Sequence, residues 1–85
     1  MAFPRIHTDQ HYMSAVTTAV AALLKSYRGH QIDVIRPLPN HERDARSYQL
    51  WITAWDQNEN RYEFIYELQI GLVNGELIVL SWMPL

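Results

Sequence analysis

Ligating, titrating and nucleophilic side chains are few in this chain, and their spacing says which reactions they could support. His7 and His11 stand four apart with Asp9 between them. A helix reaching back to residue 7 would turn both imidazoles toward one cation, but two nitrogens do not complete a metal site and no third ligand is placed. His30 and His41 are isolated and read as a strand-edge and a loop residue. Asp33, Glu63 and Glu67 have the chemistry of an acid–base pair. Nothing in their spacing sets them in a cleft, so Glu63 and Glu67 are expected in surface pairs. Ser14, Ser26, Ser47 and Ser81 lie outside any nucleophile-elbow pattern. With three glycines the chain has no phosphate-cradling loop, and with no cysteine it has no disulfide, thiolate or Cys-type zinc chemistry. The expectation is a protein without catalytic residues, metal or cofactor.

Charge narrows the partners. The net charge is -2, too little positive field to hold a phosphate backbone, so direct nucleic-acid binding is not expected. Six of the seven basic residues are Arg. Two of them, Arg43 and Arg46, lie in the mixed-charge stretch "HERDARSY" and are candidates for docking an acidic partner, against the plainer reading of a solvated loop. The longest apolar run before the strands, "AVAALL", is far below the ~20 residues that span a bilayer, and "MAFPRIHTDQ" is no signal peptide. A soluble cytoplasmic protein is expected.

The elements that must position these groups follow from periodicity. At 85 residues, 48% of them hydrophobic, the chain holds one modest core and one domain. Residues 1–8 read as an arm. Tyr12, Val16, Ala19, Val20, Leu23, Leu24 and Tyr27 recur at three and four, which predicts a helix over 9–28 with Gly29 as its stop. "HQIDVIR", "SYQLWITAW", "RYEFIYELQIGL" and "ELIVLSWM" predict four strands within 31–83. Asn74-Gly75 marks a two-residue hairpin turn between the last two. The fold class is therefore α+β: an N-terminal helix packed on a four-stranded antiparallel meander, in two layers.

The hairpin turn pairs Val73 with Glu76, Leu72 with Leu77 and Ile70 with Val79. One face then carries Tyr62, Phe64, Tyr66, Leu68, Ile70 and Leu72, with Leu77, Val79 and Met83, and takes the helix. The turn at 56–60 leaves strand two free to slip by one residue, which would exchange its faces. The favoured pairing sends Tyr48, Leu50 and Ile52 to the helix. Trp51, Trp55, Ile65, Ile78, Leu80 and Trp82 then share the outer face, which one helix cannot cover. Aromatic and aliphatic anchors rimmed by polar groups are an interface composition. The expected partner is a second copy or another protein on that face. The competing reading folds the arm, Phe3 included, over it.

The second half resembles the XisI-like family, the cyanobacterial excision controlling factors. The likeness rests on "ERDARSYQLWITAWD", then "RY", then a strand, then "NGELIVLSW", and covers roughly residues 12 to 82. Tyr48, Gln49, Leu50, Trp55, Asp56 and Arg61 fall on its motif words, and Glu67 stands where a His would be expected. The resemblance implies an accessory protein in programmed DNA excision, acting beside a recombinase, with no catalytic residues to carry over. The alternatives are an inhibitor of mobile-element origin, such as an immunity or anti-defence protein, or a small enzyme with its pocket between helix and sheet, where Tyr27, Tyr62 and Tyr66 would point polar groups inward.

Overall fold

The computed structural model describes residues 9–85. The arm, with Phe3 and His7, lies outside the described residues. Helix α1 spans Asp9–Leu23, followed by strands β1 (Gly29–Leu38), β2 (Ala45–Trp55), β3 (Arg61–Val73) and β4 (Glu76–Pro84). The strands form one antiparallel sheet in the order β1-β2-β3-β4. The fold is the expected α+β meander under a single helix.

The helix begins with Asp9 in its first turn, where an acid complements the exposed N–H groups. It stops at Leu23, five residues before the expected end. Leu24 closes back on Val20 O, and Tyr27 N donates to Leu24 O in a tighter turn. Gly29 is not the left-handed stop its position suggested. It already belongs to β1, opposite Trp55. The apolar spacing ran on to Tyr27 because this turn also packs on the core, which periodicity alone cannot separate from helix.

Tyr12, Val16, Ala19 and Val20 are the buried stripe of α1. They meet Tyr48, Leu50, Ile52 and Ala54 of β2 and Leu68 and Ile70 of β3. Leu50, Leu68, Ile70, Val16 and Val20 have no accessible surface, so these two central strands carry the core. Each such side chain taken fully out of water contributes about 1.5–3 kcal/mol.

The register of β2 is the favoured one: Leu50 pairs with Tyr66 and Ile52 with Phe64. The turn that sets it is held by Asp56. Its Oδ1 accepts from the backbone N–H groups of Asn58 and Asn60, both at 2.9 Å. Its Oδ2 accepts from Asn60 Nδ2 and from the Tyr62 hydroxyl, both at 3.0 Å. Asn60 above all holds the carboxyl below the ordinary carboxylate range, and the bond to Asp56 pushes Tyr62 up. Glu59 takes φ 65° to close the turn.

The last hairpin has the expected pairs Val73–Glu76, Leu72–Leu77 and Ile70–Val79. Asn74 (φ 52°) and Gly75 (φ 81°) occupy the positive-φ positions such a turn requires. One residue later the register shifts. Gln69 pairs with Ser81 and Leu68 with Trp82, leaving Leu80 as a bulge. A single extra residue exchanges faces beyond it. Trp82 therefore lies on the helix side, packed on Tyr66 with ring centroids 4.4 Å apart, and not on the outer face. Met83, expected under the helix, stands opposite Glu67 on the outer side and is exposed.

Candidate functional site: the outer sheet face

The registers assign the outer face row by row. Val34, Trp51 and Ile65 lie side by side on β1, β2 and β3. Beside them run Gln31, Thr53 and Glu63, and beyond those Trp55 and Arg61. On the other side run Arg36, Gln49, Glu67 and Met83, then Ser47, Gln69 and Ser81. Gly71 and Ile78 follow, with Leu80 folded over Gly71.

Five of the six expected interface residues, Trp51, Trp55, Ile65, Ile78 and Leu80, thus share this face, and Trp82 does not. Trp51 and Ile65 are direct neighbours, and Ile78 and Leu80 form a second apolar spot. The spots are six residues apart along β3, about 20 Å at ~3.3 Å per residue, with the Gln49–Glu67 and Gln69–Ser81 rows between them. Ile65 is 39% exposed, Ile78 41%, Leu80 45% and Val34 50%. None of the described elements covers them.

Two features were hidden from sequence. Asp33 bulges out of β1, between the pairs Ile32–Ile52 and Val34–Trp51. Its Oδ2 accepts from Thr53 Oγ1 at 2.6 Å and its Oδ1 from Gln31 Nε2 at 2.6 Å. Thr53 is 1% exposed in the middle of this face, so its hydroxyl depends on that carboxylate. Asp33 is thereby a structural acceptor. Glu63 is engaged by Arg61 at 3.1 Å, the surface pair expected of it. Asp33, Glu63, Trp51 and Ile65 border a depression of about 220 Å³, below the ~300 Å³ at which small-molecule sites begin. The second hidden feature is the close seat of Leu80. A Cβ on Gly71 would lie 2.9 Å from Leu80 Cγ and closer still to Cδ1.

The two candidate docking arginines part ways. Arg43 sits exposed in the turn before β2. Arg46 is in β2 on the helix side, opposite Ile70, with its guanidinium 4.8 Å from the Tyr12 ring centroid and 3.9 Å from Asp9. It lies at the corner where the helix starts, and its side chain is 43% exposed. The Tyr12 hydroxyl donates to Asp44 O at 3.2 Å, tying the same corner.

The tyrosines that a helix–sheet pocket would use form a packed row. Tyr27 meets Tyr62 and Phe64 edge-on at 5.8 Å each, and Phe64 adjoins Tyr66 at 5.6 Å. The Tyr62 hydroxyl turns out to Asp56. Burial pushes the hydroxyls of Tyr48 and Tyr66 up from their ordinary value. Among the described residues, no group of three His, Asp or Glu stands close enough to hold a metal ion, and no helix is long and apolar enough to cross a membrane.

Compared with known proteins, the chain matches no described family, no curated protein and no solved structure. The residues on which the family likeness rests fall on framework positions. Tyr48 and Leu50 are core, Asp56 builds a turn, and Arg61 holds Glu63.

Proposed function

We propose that the protein is a small non-enzymatic binding module that works as a dimer or within a complex, docking a protein surface on the outer face of its sheet. One observation carries this reading: Val34, Trp51, Ile65, Ile78 and Leu80 lie on one face that no described element covers. Apolar anchors interspersed with Gln49, Gln69, Glu67 and Arg36 suit a protein partner, whose surface supplies both apolar contact and hydrogen bonds. The charges on this face nearly balance, which favours a protein over a polyanion.

The test is the native mass of the protein purified from the cells that make it, compared for wild type and Ile65→Lys. The expected result is a wild-type mass above 10.0 kDa and a smaller one for the variant, with unchanged far-UV circular dichroism. Equal masses would refute docking at this face. The order Tyr48-Gln49-Leu50, Trp55-Asp56, Arg61-Tyr62 favours a more specific second reading, an accessory factor in DNA excision. Its test is co-purification with a recombinase that is lost in the same variant.

A further inference from the structure

The two edges of the sheet are built differently. β1 carries the Asp33 bulge, the charge of Arg36 and Pro37. Bulges, charges and proline are the devices that keep an edge from pairing. β4 keeps its own at its two ends, Glu76 at the start and the Leu80 bulge and Pro84 beyond, and leaves Leu77–Val79 between them clear. Ile78, Val79 and Leu80 are all exposed there. Because Val73–Glu76 is the closing pair of a two-residue hairpin, alternation turns the N–H and C=O of Leu77 and Val79 away from β3 and into solvent. The helix reaches over β3 to β4 without closing on it. A groove of about 340 Å³ remains beside it, between Ser14, Ala15, Thr18 and Ala22 of α1 and Leu77 and Val79 of β4.

We propose that β4 is a self-pairing edge, and that two copies of the chain join antiparallel through Glu76–Leu80 about a two-fold axis at Ile78. Unpaired backbone donors and acceptors call for a strand as occupant. A second copy is favoured because one open edge closes the assembly: β4 on β4 ends as a pair, whereas β4 on β1 would propagate as a filament and β1 is guarded. The register about Ile78 matches the outward-facing groups, since it sets Leu77 opposite the partner's Val79. It also stops at the Leu80 bulge, where regular pairing ends. The three central cross-strand pairs are then apolar, with Leu77 and Val79 on the helix side and Ile78 on the outer side, and Glu76 faces Leu80 of the other copy at each end. The two Glu76 residues fall four steps apart, about 14 Å, beyond the ~8–10 Å reach of exposed charges in physiological salt. The inference shares the partner-binding reading but rests on the backbone edge of β4, while that reading is tested at Ile65, so the two fail separately.

The experiment is sedimentation of the purified chain from about 1 µM to about 1 mM, a range that spans weak and firm association. Wild type is expected to approach twice 10.0 kDa, and Val79→Pro to stay at the monomer mass. Among the described residues no strand pairs with the outward N–H of Val79, so proline there leaves the fold intact while blocking the ladder. Ile65→Lys should still pair. Because Ile78 meets itself on the axis, Ile78→Lys and Ile78→Glu should each be monomeric alone and pair when mixed. The proposal is overturned if wild type stays monomeric throughout, if Val79→Pro pairs like wild type, or if the Lys and Glu chains fail to join. Should Val79→Pro unfold, the Ile78 mixture decides the matter by itself.

Discussion

Replacing Trp82 by Ala tests the bulge in β4, because the bulge alone decides which side of the sheet that ring occupies. Trp82 is half-buried, packs against the core and lies tilted against Tyr66 with ring centroids 4.4 Å apart. Removing a fully buried aromatic side chain costs roughly 3–5 kcal/mol. Scaled to partial burial, and including an aromatic pair worth about 0.5–1.5 kcal/mol, the loss should be about 2 kcal/mol. In a domain of this size each kcal/mol moves Tm by roughly 4–8 °C, so the variant should melt about 10 °C lower. Leu80, one residue into the bulge and 45% exposed, should cost under ~1 kcal/mol on the same change. The assay is paired urea and thermal denaturation by circular dichroism at low protein concentration, where association does not contribute. A second readout comes from Tyr66, whose hydroxyl burial pushes up. In Trp82→Ala its ionisation should fall back toward the ordinary tyrosine range, read at 295 nm in an alkaline titration. If Trp82→Ala melted like wild type while Leu80→Ala did not, Trp82 would lie on the outer face and the register beyond Gln69 would be wrong.

Gly71→Ala should dislodge Leu80, since the added Cβ meets Cγ at 2.9 Å. Leu80 is a flexible side chain at the surface, so the expected cost is about 1 kcal/mol, seen as a lower urea midpoint. Asp33→Ala should destabilise by roughly 1–2 kcal/mol because it leaves the buried Thr53 hydroxyl without its acceptor. Asp33→Asn, which keeps an acceptor, should cost less. Asp56 has its folded carboxyl pulled below the ordinary value, first by the Asn60 side chain. Its contribution is therefore fully present above the unfolded carboxylate pKa and lost as pH falls through the lower folded one. Asp56→Ala should flatten the acid limb of a stability–pH curve, and because it also removes the bond that pushes the Tyr62 hydroxyl up, it should flatten the alkaline limb as well.

The helix, the four strands and the helix-facing side of β2 were legible because each rests on a local pattern with one physical meaning. Spacing of three and four marked α1, alternation marked β3, and Asn74-Gly75 set the hairpin. What sequence missed were events of a single residue. The end of α1 at Leu23 was masked because Leu24 and Tyr27 remain apolar and in contact with the core after the helical bonds cease. The bulges at Asp33 and Leu80 insert one residue into strands whose composition does not mark them. "IDVI" and "VLSW" read equally well with either phase. Asp56 did carry a usable signal. An Asp opening a turn of Asn residues accepts from the backbone two and four residues on, and that pattern would have pinned the register of β2. Alternation along β2 from Tyr48 likewise puts Arg46 on the helix side.

The two bulges act in opposite senses on the sheet. At β1 the extra residue is Asp33. It turns a carboxylate over the outer face, satisfies Thr53 and breaks the regular edge, so that side of the sheet is finished within the chain. At β4 the extra residue is Leu80, which has no polar atom to satisfy anything. It sends Trp82 to the helix side, where Tyr66 receives it, and returns an aliphatic side chain to the outer face over Gly71. The exchange removes the largest anchor from the outer face and concentrates what remains at the β4 end. Ile78 and Leu80 are there beside an unguarded edge, while Trp51 and Ile65 stand about 20 Å away. A partner covering only the Trp51–Ile65 spot would leave the β4 end in water, and a partner at the β4 edge would leave Trp51 in water. The two proposed contacts are therefore separate, and Ile65→Lys and Val79→Pro should disrupt different associations.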